Sequence, residues 1–308
     1  SPVVWNDQVF VTTADGDDLK LLCISTEGEK KWERTVGSGN ETARGDEGNS
    51  ASNTPATDGK YVVTVMSTGH YACYDMQGQR RWGGKLQDRF GEIHIQFGYT
   101  ASPVIHGDKV YLQMIHGQWT PEPEAGRVVC LNLADGDLIW ERPRETGAMM
   151  ECKHAYTSPI VYDNGDDAYL VTHGADYAIA YDLLDGREVW RCGGMNPHGN
   201  YHETLRFVAS PGASANLIVL PTAKNGAVLG ITPHSRGDIT ETTNVKWRRE
   251  QNTPDVPSPL IHDDIVYLCR ENGNLLCLDA ATGEELYEKR TVRERHRASP
   301  SYADGHVY

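Results

Sequence analysis

One sequence pattern recurs seven times along this 308-residue chain. Each copy opens with a small residue followed by proline, and short apolar runs separated by Asp, Asn or Gly turns come next. The copy that starts at Ser102 closes at Trp140. The opening prolines lie about 41 to 56 residues apart and are Pro2, Pro55, Pro103, Pro159, Pro211, Pro259 and Pro300. A repeat of this length with about four strands per unit predicts a β-propeller.

Apolar runs of strand length fill each repeat, for example Tyr61–Val65 and Ile265–Cys269. Turn dipeptides such as Asp58-Gly59 bound these runs, and no segment shows a sustained helical period. The sequence therefore predicts an all-β fold of four-stranded antiparallel blades. Because one such sheet buries little surface alone, neighbouring blades must share a core. We expect the closing aromatics to pack between blades; they are Trp32, Trp82, Trp140, Trp190, Trp247 and Tyr287.

The number of repeats bears on the size of the propeller. Six repeats are complete, whereas the seventh ends at Tyr308, inside its second strand. An open propeller would leave unpaired strand edges, which proteins normally avoid. We therefore expect residues 1–308 to form a single propeller domain that is incomplete at one or both ends.

Three segments share one pattern: an apolar residue followed by Asp, then a Gly and, in two of them, a tryptophan. They are Tyr74–Trp82, Tyr181–Trp190 and Leu278–Gly283. This pattern resembles the repeat of pyrroloquinoline-quinone-type (PQQ-like) propellers. That family includes quinoprotein dehydrogenases, the propeller lipoprotein of outer-membrane assembly and uncharacterised secreted bacterial proteins. The resemblance implies eight blades in the intact protein, with seven as the alternative, and a periplasmic or secreted location. It implies no particular activity, because fold and function separate readily.

Charge and hydropathy argue against nucleic acid as a partner and against a membrane-spanning segment. The net charge is −14, with 43 acidic residues against 29 Lys and Arg, which argues against nucleic acid as a partner. No apolar run approaches 18 residues, so we expect no transmembrane segment. The sequence shows no signal peptide at Ser1.

The seven cysteines do not predict a disulfide framework. Cys23, Cys73, Cys130 and Cys277 occupy equivalent positions in the third strands of four different repeats. Equivalent positions of neighbouring blades are too far apart for a disulfide, so we expect four buried, reduced thiols. A bridge between Cys152 and Cys192 is left open, as is the state of Cys269.

Propeller topology directs the search for a functional site. The connections between blades and those between the second and third strands share one face, and they are long and irregular here. Eight of the twelve histidines fall in them. Binding groups concentrate in such loops on a rigid scaffold. We assign to ligand binding His94, His116, His173, Tyr156, Arg206, Arg270 and Arg297.

Three interpretations of this face remain open: a hydrated polar funnel, a site for a small polar molecule or carbohydrate, and a divalent metal site. Imidazole binds transition metals and can act as an acid or base near neutral pH. The metal candidates are His116, His154, His173 and His202, and the catalytic candidates are His154, His202 and Glu203. No HxH, HExxH or CxxC motif is present, so metal ligands would have to come from several blades.

A quinone cofactor is not expected. The dehydrogenases of the resembling family have a disulfide between adjacent cysteines, and this chain has no Cys-Cys pair. Two functions are therefore compared: a ligand-binding propeller, acting as a lyase or hydrolase if it is catalytic, and a non-catalytic scaffold that binds protein partners. Arginines would neutralise the carboxylate of a sugar acid, and histidines would suit general acid–base chemistry.

Overall fold

The computed structural model describes residues 1–42, 48–196, 198–222, 226–251, 254–291 and 293–308. The chain forms two compact units. Unit 1 comprises Ser1–Gln118 and Gly126–Arg144, and unit 2 comprises Trp119–Ala125 and Glu145–Tyr308. The loop Trp119–Ala125 therefore packs with the unit that follows it in the chain.

Unit 1 contains three antiparallel sheets whose four strands pair in chain order. Sheet 1 consists of β1 (Val3–Trp5), β2 (Gln8–Asp15), β3 (Asp18–Ser25) and β4 (Lys30–Ser38). Sheet 2 consists of β5 (Ala56–Thr57), β6 (Tyr61–Val65), β7 (His70–Asp75) and β8 (Arg80–Lys85), and the short helix α1 (Leu86–Phe90) follows. Sheet 3 consists of β9 (Val104–His106), β10 (Lys109–Met114), β11 (Gly126–Asn132) and β12 (Leu138–Arg144).

Unit 2 contains three further sheets, of which one has a fifth strand in addition to its four antiparallel strands, and one strand pair. Sheet 4 consists of β13 (Ile160–Asp163), β14 (Ala168–Gly174), β15 (Tyr177–Asp182) and β16 (Glu188–Cys192). Sheet 5 consists of β17 (Gly212–Ser214), β18 (Leu217–Pro221), β19 (Val228–Ile231) and β21 (Val245–Arg249). Sheet 6 consists of β22 (Leu260–His262), β23 (Ile265–Cys269), β24 (Asn274–Asp279) and β25 (Glu285–Arg290), and the last pair is β26 (Tyr302–Ala303) and β27 (His306–Val307). Two 3-10 turns cover Met150–Lys153 and His198–Asn200.

The opening prolines lie at the start of the first strand of each sheet. Six of the opening prolines directly precede a strand, and Pro300 lies two residues before β26. The residue before the proline also links adjacent sheets, since its backbone N–H donates to the serine Oγ at the same position of the next sheet. These bonds run from Thr54 to Ser102 (2.9 Å), Ser158 to Ser210 (2.8 Å), Ser210 to Ser258 (3.0 Å) and Ser258 to Ser299 (2.9 Å).

A small residue lies opposite the closing aromatic in each of sheets 1 to 6. Cys73 pairs with Trp82, Ala180 with Trp190 and Gly230 with Trp247. The register shifts directly after each of these small residues, so that the outer strand carries one extra residue before its aromatic. Such a bulge re-aims a side chain. A larger side chain would collide with the ring, because a Cβ on Gly230 would lie 2.2 Å from Cε2 of Trp247.

Three tryptophans contact the next sheet through a hydrogen bond. Each indole Nε1–H donates to the carbonyl oxygen of the residue after the repeat's Asp or Asn. The bonds run from Trp32 to Met76 (3.1 Å), from Trp82 to Leu133 (2.9 Å) and from Trp247 to Ala280 (2.9 Å). These contacts agree with the expected role of the tryptophans in packing between sheets.

The turn glycine of the repeat makes room for the same tryptophans. Gly283 adopts φ +73°, and a Cβ there would lie 2.6 Å from Cδ2 of Trp247. Gly78 and Gly136 lie in the same way against Trp32 and Trp82. Glycine is needed twice at this position, for the left-handed backbone and for the close approach of the ring.

Sheet 4 departs from this arrangement. The segment between β19 and β21 extends back as β20 (Gly237–Asp238), which pairs in parallel with β16 at Trp190 and Arg191. At the corresponding carbonyl, that of Pro233, the donor is the hydroxyl of Tyr169 at 2.5 Å. The added strand covers the outer edge of sheet 4, so Trp190 is fully buried.

All seven cysteines are free. Cys23, Cys73, Cys130 and Cys277 are buried at matching positions opposite the closing aromatic, which confirms that prediction. The bridge considered between Cys152 and Cys192 does not form, since the Cys152 thiol donates to the His202 carbonyl oxygen (3.1 Å).

Candidate functional site

The connection from β12 to β13 in unit 2 carries several of the predicted site residues. Its 3-10 turn Met150–Lys153 is almost entirely buried. Glu151 in this turn is 5% exposed, and its Oε1 forms an ion pair with Nη1 of Arg206 at 2.9 Å. Arg206, predicted to bind a ligand, thus joins two loops of unit 2.

Lys153 holds the loop Trp119–Ala125 against this turn. The lysine is 1% exposed, and its Nζ donates to the hydroxyl of Thr120 and to Oε1 of Glu124, both at 3.0 Å. The Met150 N–H adds a bond of 2.9 Å to the Thr120 carbonyl oxygen. Sequence reasoning missed Lys153 because nothing in the repeat marks a lysine as buried.

His154, a candidate for catalysis and for metal binding, is 4% exposed. Its ring packs edge to face against Trp119, with ring centroids 6.4 Å apart and planes at 81°. Trp119 is 48% exposed and covers the imidazole. His154 therefore packs beneath the loop, and Trp119 lies between its imidazole and the solvent.

His173, a candidate for ligand and metal binding, lies in the interior of unit 2. It is fully buried near the end of β14, and its Nε2 lies 2.5 Å from the carbonyl oxygen of Pro221. Its ring contacts Phe207 at a centroid distance of 4.7 Å, and its carbonyl accepts a bond from the Thr157 hydroxyl. The prediction that His173 lies in a long loop is wrong, because His173 pairs with Ala178 inside the sheet and is surrounded by core side chains.

A buried polar cluster that the sequence did not reveal lies beside Cys152. Asp176 adopts φ +67° in the tight turn between β14 and β15 and is 5% exposed. Its carboxylate accepts bonds from Asn196 Nδ2 (3.1 Å) and the Tyr201 hydroxyl (2.7 Å). Asn196 also donates to the Cys152 sulfur (3.3 Å). Burial raises the pKa of Cys152 to about 11, so the thiol is protonated at neutral pH.

Only part of the predicted set reaches solvent in unit 2. His202 and Glu203 are exposed neighbours in the connection to sheet 5, and Arg297 is exposed. Tyr156 is half-buried, and its N–H donates to the Phe207 carbonyl oxygen (2.9 Å). Arg270 forms an ion pair with Glu288 at 3.2 Å across sheet 6.

In unit 1, the structure brings His94 and His116 together. The backbone N–H of His94 donates to Nδ1 of His116 at 3.4 Å, and the Gly117 N–H donates to the His94 carbonyl oxygen at 3.0 Å. The His94 Nε2 lies 3.5 Å from a carboxylate oxygen of Glu92. His94 and His116, both assigned to ligand binding from the sequence, therefore lie next to each other in unit 1.

No three His, Cys, Asp or Glu side chains of the described residues are grouped so as to hold a metal ion. The metal candidates His154 and His173 are instead packed among aromatic side chains.

A cleft of about 400 Å³ lies in sheet 4 beside the turns that join β13 to β14 and β15 to β16. The segment that carries β20 supplies Arg236, which pairs with Asp167, and His234 contacts the same carboxylate at 2.5 Å. The hydrogen bond from His234 lowers the pKa of the Asp167 carboxyl most, and the one from Arg236 lowers it further. The cleft is flanked by the exposed Asp166 and Arg187.

Comparison with known proteins identifies the repeat. The sequence profile of a family described as outer membrane protein assembly factor BamB matches residues 1–113. A curated relative, the outer membrane protein assembly factor BamB of Kangiella koreensis, is 25% identical over 187 residues. The chain is thus similar to BamB in sequence and has the fold of a PQQ-like β-propeller.

Solved structures support the same fold for this PQQ-like propeller. BamB from Moraxella catarrhalis has a TM-score of 0.64 at 14% identity, covering 95% of this chain and 73% of that one. Quinohemoprotein alcohol dehydrogenase ADHIIG from Pseudomonas putida HK5 has a TM-score of 0.65 at 14% identity, covering 99% of this chain and 61% of that one. Likeness at such low identity establishes the fold alone.

The PQQ-like propeller matches only part of its curated relative. The aligned region is 59% of this chain and 42% of the Kangiella koreensis protein, so the chain spans less than half of that relative's length. Within the described residues, no helix has the length and apolarity needed to cross a membrane.

Proposed function

We propose that this chain is a non-catalytic propeller that binds protein partners through the loops of the face predicted to carry the site. The main support is that several ionisable loop residues of unit 2 are ion-paired with each other or buried. Arg206 is paired with Glu151, Lys153 with Glu124, and His154 and His173 are buried. These groups hold loops in place, which suits a preorganised binding surface.

The family relationship supports the same function. The matched profile and the curated relative are both described as outer membrane protein assembly factors. By analogy we place this chain in the periplasm or outside the cell, with a protein as its partner. The proposal includes neither PQQ nor a metal, and it assigns no catalytic role to His154, His202 or Glu203.

A photo-crosslinking experiment tests this function. A benzophenone amino acid at the exposed Glu203 labels the loop face, and the same label at Leu184, which is 73% exposed in a turn of sheet 4, is the matched control. In the periplasm of a Gram-negative host, position 203 should yield a discrete crosslinked protein and position 184 should not. Equal labelling from both positions, or none from 203, would contradict the proposal.

A second candidate is binding of a small polar molecule or carbohydrate. The contact between His94 and His116 favours it in unit 1, and the exposure of His202, Glu203 and Arg297 favours it in unit 2. Titrating the purified chain with an oligogalacturonate while following histidine NMR signals tests this candidate. Saturable shifts of these histidines would support it, whereas unchanged spectra would remove it.

A further inference from the structure

Trp119 is an exposed aromatic residue on a loop that buried contacts hold in place. Nearly half of its surface is open to solvent, 48%. The loop is tied down at Thr120 and Glu124 by Lys153, whose ammonium group is almost completely buried. Burying an ammonium group is costly unless it is paired, so these bonds favour one loop conformation.

The charge around Trp119 indicates what kind of group it contacts. The loop Trp119–Ala125 carries Glu122 and Glu124 and no lysine or arginine. Glu122 is exposed, and the whole chain has a net charge of −14. An acidic partner or a second copy of this chain would be repelled, whereas a cation gains from both the carboxylate and the face of an indole ring.

We propose that Trp119 and Glu122 form the contact point for a basic segment of the protein partner, an inference that rests on the proposed scaffold function. An arginine or lysine side chain of the partner packs on the exposed indole, and its charge is balanced by the Glu122 carboxylate. A tryptophan held in a fixed orientation is the type of residue that dominates binding at protein interfaces.

The indole N–H signals of the full chain provide the test. The chain has seven tryptophans, so a ¹⁵N-labelled sample gives seven indole signals, and W119F identifies that of Trp119. The probe is a capped peptide of alternating glycine and arginine, with the glycine–glutamate peptide as its counterpart. The arginine peptide should shift the Trp119 signal saturably and less strongly at high salt.

Trp5 is the matched control for exposure, since it is 42% exposed and lies in unit 1. We expect its signal to move much less than that of Trp119. Both W119A and E122Q should weaken peptide binding, about two- to fivefold each, as expected for an exposed cation–aromatic contact. Because both side chains are exposed, circular dichroism of the variants should match that of the unmodified chain.

Three outcomes would overturn the inference: no response of Trp119 to the arginine peptide, equal shifts of Trp5 and Trp119, or a response to maltohexaose in place of the peptide. The last outcome would make Trp119 a sugar-binding platform. If crosslinking from position 203 persists while Trp119 fails to respond, the inference fails alone. Loss of the crosslinks would remove the scaffold function as well.

Discussion

The backbone N–H of Ser210 donates to Oγ of Ser258, 3.0 Å away in the next sheet. Ser258 in turn donates its own N–H to Ser299 at 2.9 Å. The small residue before each proline therefore has a physical role, because its hydroxyl satisfies a backbone donor that the strand ladder of the neighbouring sheet leaves unpaired.

Replacing Ser258 by alanine should destabilise unit 2. The Ser210 N–H loses its acceptor, which costs about 1 to 3 kcal/mol when the donor is shielded from water. We expect the thermal midpoint to fall by about 2 °C or more. S258T keeps the hydroxyl and should retain most of the stability, so an equal loss in both variants would show that the bond does not matter.

The turn glycine tests the contact between sheets 5 and 6. G283A and G28A both place alanine at a positive φ, +73° and +91°, and each pays a similar backbone penalty of about 1 kcal/mol. Only Gly283 lies against a tryptophan, since nothing is within 4 Å of the Cβ position at Gly28. G283A should therefore cost about 1 to 3 kcal/mol more in unfolding experiments. Equal losses would contradict a role for Trp247 at this glycine.

The buried thiols predict a loss of stability in alkali. Burial raises the pKa of Cys73 to about 12, above its ordinary value of 9.0. Between these values the unfolded chain releases a proton that the folded chain retains, so the free energy of unfolding falls as the pH rises above about 9. Thermal midpoints at pH 8 to 10.5 should decline less steeply in C73A than in the unmodified chain. Ala180 occupies the matching position of sheet 4, so alanine suits this site. Parallel slopes would contradict the assignment.

The ion pair of Lys153 and Glu124 should respond asymmetrically to mutation. E124Q leaves a buried ammonium group without its carboxylate and should cost about 3 kcal/mol. K153M removes the buried charge and leaves Glu124, whose side chain is 36% exposed, in contact with water. We expect K153M to be close to neutral in unfolding experiments. The reverse order of stabilities would contradict the burial of Lys153.

The repeat alone determined the fold class, the positions of most strands and the reduced, buried state of four of the seven cysteines. Each of these follows from local chemistry that recurs in every unit: Ser-Pro at the inner strand, a turn glycine, and a small residue such as Cys73 facing Trp82. Because these features act between adjacent strands or sheets, a regular spacing along the chain is sufficient to predict them.

Only the tertiary structure decided which loop residues are exposed. His154 lies in an irregular connection as predicted, yet Trp119 covers it, whereas His173 lies within β14 and packs against Phe207. Lys153 is buried because Glu124, 29 residues earlier in the chain, folds against it. The loops have no regular period, and the side chains that cover them come from distant positions in the chain. The spacing of residues in the sequence therefore does not predict these contacts.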